Sequence, residues 1–426
     1  MNNNEYILSY PVFDIKKRGE YTVLIPSFLD SHMDLLAGVL ERRGYKCEVL
    51  TNNETILVRE GLKYVHNDTC YPATCVIGQF IDALRQKDDV KKYALVLTQT
   101  GGGCRASNYV ALLRKALENA GFGNVPVITL NLGDLAHCQG LKITLPFLLD
   151  MLAAVVYGDT IMYLHNKTRS YEVKKGTSDG LVVKWNNILR KELAEGKASS
   201  FSQIKRNLKE IVKDFASIEL NVTNKPKVGI VGEIYVKYSS IGNNGLEKFL
   251  IDEGAEIMIP GVMGFLMYCF ANGEYDRRYY RTKLSKKIYN TLILKIITIY
   301  ETMLRNSIIK NSLFDPPEKF ESTRKESLGI IKHGAKMGEG WLLTAEMNEL
   351  IKIGYSNIIC AQPFGCLPNH VCGKGVMNKL KELHKDANIT PIDYDSSASK
   401  VNQENRIKLM LALAREKITK KEEEKV

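Results

Sequence analysis

The chain has 426 residues, 45% hydrophobic and 25% charged, enough for two or three domains with a large core. Lys and Arg outnumber Asp and Glu by 59 to 48, and a net +11 over this length favours anionic ligands without the concentrated basic stripe that a nucleic-acid binder needs. The nine cysteines, with no export signal at the Met-Asn-Asn-Asn start, point to a reducing, cytoplasmic setting in which grouped thiols hold metal more often than they pair.

In chain order, residues 1–20 read as an extended lead-in and Tyr21–Ile25 as a strand. A helix runs from His32 to Arg43, with Asp30 or Ser31 as its cap and Gly44 as its stop, and Tyr45–Leu50 is the next strand. Pro72 suits the first turn of a helix through Leu84, so Cys70 lies at its entrance and Cys75 about one turn in. The apolar run Tyr93–Leu97 is a strand, and Val110–Ala120 has apolar residues at helical spacing. Between them lie three glycines and Cys104, in a strand-to-helix turn that admits positive φ and close approach to a bound group. A thiol at a helix N-terminus is expected to ionise more easily. Val125–Leu130 closes this alternating pattern, which implies a parallel sheet covered on both faces.

Leu141–Tyr157 is the most membrane-like run, but Lys142 and Asp150 interrupt it and it is too short to span, so it reads as a buried helix. Helical patterns continue over 179–195 and 201–216, and 223–226 reads as a linker. The strand pattern restarts at Lys227–Tyr235, with a helix after Asn243-Asn-Gly245 and a strand over Glu256–Ile259. Residues 276–313 form a basic, tyrosine-bearing helical insertion. Then come a helix from Trp341 to Ile353, a strand at 358–360, a turn over Gln362–Lys374, the helix 375–385, a strand over Ile389–Asp393, a last helix over 402–416 and a solvated Lys/Glu tail. The expected fold is α/β, with an N-terminal Rossmann-like lobe (1–140), a helical segment (141–223) and a C-terminal Rossmann-like lobe (224–426). A ligand cleft between the lobes would lie beyond the carboxyl ends of the strands.

Cys70, Cys104 and Cys366 each sit in such a turn with Gly or Pro nearby, and thiolates are soft ligands for iron–sulfur clusters or zinc. No CxxC pair is present, so the spacing matches no zinc ribbon or ferredoxin run, and separate structural thiols remain the alternative. Cys75, Cys138 and Cys372 stand as further ligands or as packing residues; Cys47, Cys269 and Cys360 read as small hydrophobes. Arg105 suits cluster sulfurs, an anionic substrate or a surface carboxylate, and His370 suits a ligand, a proton donor or a half-buried structural histidine. Glu233 is an acid/base candidate and Lys374 a phosphate candidate, while Asp393 and Asp395 read as caps. Arg277–Arg281 with Lys283, Lys286 and Lys287 offers a grip for CoA phosphates, an acidic partner or nucleic acid, or is a solvated helix face.

Four motifs together resemble the 2-hydroxyacyl-CoA dehydratase superfamily, over residues 60 to 415. They are Asn67-Asp-Thr-Cys-Tyr-Pro-Ala73 with Gly78-Gln79, Thr98-Gln-Thr-Gly-Gly-Gly-Cys-Arg-Ala-Ser-Asn-Tyr109, Val231-Gly-Glu-Ile-Tyr-Val236 with Gly242-Asn-Asn244, and Gln362-Pro-Phe-Gly-Cys-Leu-Pro-Asn-His370. They are most similar to the dehydratase-like region associated with acyl-CoA dehydratase activases of the benzoyl-CoA reductase activator type. The resemblance implies a [4Fe-4S] cluster on Cys70, Cys104 and Cys366, with Gly102, Gly103 and Asn108 beside it and Arg105 and His370 as catalytic candidates. A double-cubane cluster, as in some relatives, would also draw on Cys75, Cys138 and Cys372. It further implies one-electron reduction of an acyl-CoA thioester, a related-subunit or homodimeric assembly, and no nucleic-acid or membrane partner. No ATPase module accompanies the motifs, so an ATP-dependent activator would act in trans. Outside the resemblance, a zinc-stabilised or metal-free CoA or nucleotide binder and a non-catalytic scaffold are the other readings.

Overall fold

A computed structural model of the chain describes residues 10–52, 56–131 and 138–424. It contains two four-stranded, all-parallel sheets flanked by helices, in the Rossmann-like α/β manner expected. The first is made of β1 (Thr22–Ile25), β2 (Lys46–Val49), β3 (Tyr93–Gln99) and β4 (Val127–Asn131), in the order β2-β1-β3-β4. The second is made of β5 (Lys227–Gly232), β6 (Glu256–Met258), β7 (Asn357–Pro363) and β8 (Asn388–Tyr394), in the matching order β6-β5-β7-β8. The order reverses between β1 and β3 in one sheet and between β5 and β7 in the other. At those points the connections leave in opposite directions and open a crevice at the strands' carboxyl ends.

The strands are apolar because both faces are covered: β5 and β7 are buried almost throughout. The hydrophobic cores do not respect the lobes. Leu95 and Leu97 of the first sheet share one with Ile230 and Ile359 of the second. Phe28, just after β1, stacks on Tyr235, just after β5, with ring centroids 5.7 Å apart. Asp159 adds a polar tie, its carboxylate 2.9 Å from His32 Nε2 and accepting the Val262 and Met263 backbone N–H groups at 2.9 and 2.8 Å.

Several elements differ from the sequence expectation for local reasons. The helix expected over 32–43 is Asp30–Glu41, and Leu29 precedes it without a side-chain cap. The apolar run expected to end at Tyr157 continues to Thr168 as a 24-residue helix, long and apolar enough to cross a bilayer. It is instead a core helix, 72% of its most apolar window being covered by protein. Its start is set by Thr144, whose hydroxyl accepts the Phe147 N–H at 3.3 Å. The strand expected through Tyr235 stops at Gly232, where the Glu233 carboxylate accepts the Val236 N–H at 2.9 Å and starts a short helix. The helical insertion expected over 276–313 is made of the end of one helix, Val262–Tyr280, and a second, Leu284–Asn311, parted by Arg281 in a left-handed conformation. The tail is exposed over its described residues, as expected, and continues the last helix, Lys400–Glu423. The helix Ile56–Leu62, against Tyr71–Arg85, had no counterpart in the sequence reading.

One buried carboxyl makes a pH prediction. Burial pushes Glu349 up to about 8, and its Oε2 has no hydrogen-bond partner among the described residues. A carboxyl raised on folding is neutral at no penalty below its unfolded pKa, and stability falls as pH rises toward the folded value. Glu349→Gln should therefore stabilise the chain at pH 8 relative to the parent and change little at pH 4, read from urea melts at both.

Candidate functional site

The turns at the two switch points are tied together, and the segment between the helices Ile56–Leu62 and Tyr71–Arg85, which carries Cys70, is bonded to the first of them. Cys104 follows β3 and caps a short turn before the helix Tyr109–Asn119, and Gly102 holds the positive φ of 82° that the turn requires. Cys70 is the N-cap residue of the helix Tyr71–Arg85, with Pro72 in its first turn. Cys366 follows β7 and precedes the helix Leu367–Cys372. The Cys70 sulfur lies 3.0 Å from the Tyr109 hydroxyl, and Arg105 Nη1 donates to the Asp68 carbonyl at 2.6 Å, so two bonds join the first two turns.

The segment Met337–Glu339 joins them to the third. The Gly103 N–H donates to Met337 Sδ at 3.4 Å, and a Cβ placed on Gly338 would lie 3.0 Å from Pro368 Cγ. Glu339 Oε1 accepts the Ile234 N–H at 2.9 Å, which ties the segment to the turn after β5. Asn369 Nδ2 donates to the Cys366 sulfur at 3.3 Å, and the Ala106 N–H to the Cys104 sulfur at 3.5 Å. All three sulfurs belong to residues that are partly buried.

The expectation of an easily ionised Cys104 is overturned. Burial raises its thiol, the Glu339 and Glu233 charges add to this, and the Ala106 amide only partly offsets them. Burial likewise pushes Cys70 up to about 12, with Glu233 reinforcing it, and raises Cys366, with Glu339 reinforcing it. A thiolate here needs a cationic partner, which a metal centre would provide.

The carboxyls form the second component. Burial, then the Glu339 charge, holds Glu233 well above the usual carboxylate range, and burial raises Glu339 as well. Behind them Lys237 and Glu346, 3% and 4% exposed, form a buried ion pair with Nζ–Oε2 of 3.3 Å. Lys237→Met should cost about 3–5 kcal/mol in urea unfolding, because it strands the Glu346 carboxylate. Glu346→Leu placed in the same chain should recover part of that loss.

The remaining sequence candidates are distributed as follows. Cys75 is fully buried in the helix Tyr71–Arg85, within the field of Cys70 and Glu233. Cys372 is buried, and burial and then Glu339 push it up to about 11. Cys138 precedes Gln139, whose carbonyl accepts the Thr129 N–H at 2.9 Å beside β4. His370 is partly buried, four residues past Cys366 and bonded to its carbonyl through the backbone at 2.9 Å. Arg105 and Asn108 are exposed, and Arg105 engages a backbone carbonyl rather than the surface carboxylate considered for it. Lys374 pairs with Asp393 at 2.7 Å, which occupies the group considered for phosphate and gives Asp393 a role other than capping. Asp395 closes a turn, accepting the Ser397 N–H at 2.6 Å, while Ser399 caps the helix that follows.

Sequence reasoning passed over Glu339, Met337, Lys237 and Glu346. The only local signal for Glu339 was its position between Gly338 and Gly340. Among the described residues, no three His, Cys, Asp or Glu side chains close on a point that one metal ion would occupy. No family model matches the chain, and no curated protein matches it in sequence.

Proposed function

We propose that the chain is an iron–sulfur redox protein of the 2-hydroxyacyl-CoA dehydratase type. It would take low-potential electrons from a separate ATP-dependent activator and pass them to an acyl-CoA substrate, as a homodimer or with a related subunit. The observation that carries this reading is the meeting of three thiol-bearing turns from both sheets around Met337–Glu339. Cys70, Cys104 and Cys366 would hold a [4Fe-4S] cluster, which when bound supplies one-electron transfer at low potential.

The surrounding side chains have defined work in that reading. The Tyr109 hydroxyl and Asn369 amide orient the Cys70 and Cys366 sulfurs. Glu233 and Glu339, raised by burial, hold a proton at a carboxyl oxygen and release or accept it beside a bound substrate. The N–H groups of Arg105 not spent on Asp68 are available to an anionic group at the exposed edge.

The test is iron and acid-labile sulfide per chain after anaerobic reconstitution. About four of each supports the reading, and about eight or nine assigns the double-cubane form, for which Cys75, Cys138 and Cys372 are the candidate added ligands. Zinc without sulfide, or no metal at all, overturns it.

A further inference from the structure

Residues 277–300 carry seven Lys and Arg and no Asp or Glu. They form the end of the helix Val262–Tyr280, the break at Arg281–Lys283 and the first part of the helix Leu284–Asn311. The nearest carboxylates are already engaged, Glu274 with Arg324 and Asp276 with Lys336. Among the described residues none of the seven cations makes an ion pair, so their field is uncompensated.

The same stretch exposes apolar surface. The first buried residue of the 28-residue helix is Ile297. Leu284, Ile288 and Leu292, at i, i+4 and i+8, are 56%, 52% and 56% exposed, and Ile299 continues their line. Tyr279, Tyr280 and Tyr289 stand out beside them. An open hollow of about 570 Å³ beside the break is lined by Thr282, Lys283, Ser285, Lys286 and Tyr289. An apolar stripe of this kind in water marks a surface that something covers.

We propose that this hairpin tip, Tyr279–Leu292, seats the protein peripherally on an anionic phospholipid surface. The cations meet headgroup phosphates, with the hollow taking one beside Lys283 and Lys286. Leu284, Ile288 and Leu292 enter the boundary between headgroups and acyl chains, and the tyrosines lie at the interface with their hydroxyls outward. The element presents cations and an aliphatic stripe together and needs a partner that meets both. A nucleic-acid backbone would satisfy the cations and leave the aliphatic stripe against water or phosphate; a lipid surface satisfies both. A peripheral contact requires no spanning segment, so the burial of the helix Leu145–Thr168 does not bear on it.

The test is co-sedimentation of the full chain with phosphatidylcholine vesicles, with and without a third of phosphatidylglycerol. Binding is expected to the anionic vesicles only, and to weaken as salt rises. Replacing Lys283, Lys286 and Lys287 together by Ala should weaken it roughly a hundredfold, at about fivefold per lysine. Replacing Leu284, Ile288 and Leu292 by Ser should also weaken it while leaving the salt dependence in place. All six sites are at the surface, so melting temperature should hold in both variants. Failure to sediment at low salt, equal binding to both vesicles, or variants that bind like the parent overturn the proposal. So does an oligomer that dissociates in these variants while no vesicle binding is seen, which would assign the face to a second copy of the chain.

Discussion

Cys104→Ser, reconstituted anaerobically with iron and sulfide, is expected to keep its secondary structure and to hold roughly a tenth or less of the parent's iron. The sulfur is only partly buried and its turn lies outside the hydrophobic core, so the loss should not come from unfolding. A serine hydroxyl is a harder and far weaker ligand than a thiolate. Cys70→Ser and Cys366→Ser should behave alike, because each turn supplies one of the three thiols. Cys360→Ser is the contrast. That thiol is fully buried in β7, beside Gly373, and serine there should lower stability by about 1–3 kcal/mol while iron binding persists. If Cys104→Ser kept its iron, or if Cys360→Ser lost it equally without a change in stability, the ligand assignment would fall.

The second large effect concerns the scaffold that places Cys70. The helices Ile56–Leu62 and Tyr71–Arg85 approach through two glycines. A Cβ on Gly78 would lie 1.9 Å from the Leu57 carbonyl oxygen, and one on Gly61 would lie 2.1 Å from that of Thr74. Both obstacles are backbone, so neither can be relieved by a side-chain rotation. Gly78→Ala should therefore cost about 3 kcal/mol or more in urea unfolding. It should also reduce iron uptake, since the displaced helix carries Cys70 at its N-cap. Gly180→Ala, in the helix Thr177–Ala194 with nothing within 4 Å of the added carbon, should instead stabilise by about 0.5–1 kcal/mol. A Gly78→Ala chain as stable as the parent would show that the two helices are not locked at this crossing.

Much of the site was legible locally. The glycine turn before Cys104 and the strand before Cys366 are each written in a few consecutive residues, and each produced the strand-to-helix turn expected of it; the proline after Cys70 marks a helix start as expected, but Cys70 lies between two helices, because Ile56–Leu62 intervenes after β2. The ionisation of Cys104 was misjudged because the local amide favours a thiolate, whereas burial by elements distant in sequence, with Glu339 and Glu233 adding to it, opposes one. The break at Arg281 inside the helical insertion was not foreseen, because the spacing is helical on both sides of it.

The amino-acid sequence by itself determined the alternation of strand and helix, the parallel character of both sheets and the placement of three cysteines in turns. All of these depend on neighbours a few residues away, through backbone preference and hydrophobic spacing. Only the tertiary structure decided what surrounds the thiols. Met337 reaches Gly103 across 234 positions, Glu339 reaches Ile234 across 105, and Lys237 meets Glu346 across 109. Contacts of that range leave no periodic trace in the chain, because they depend on how two sheets and their helices pack around shared cores. Burial then sets the charge state of every group enclosed there.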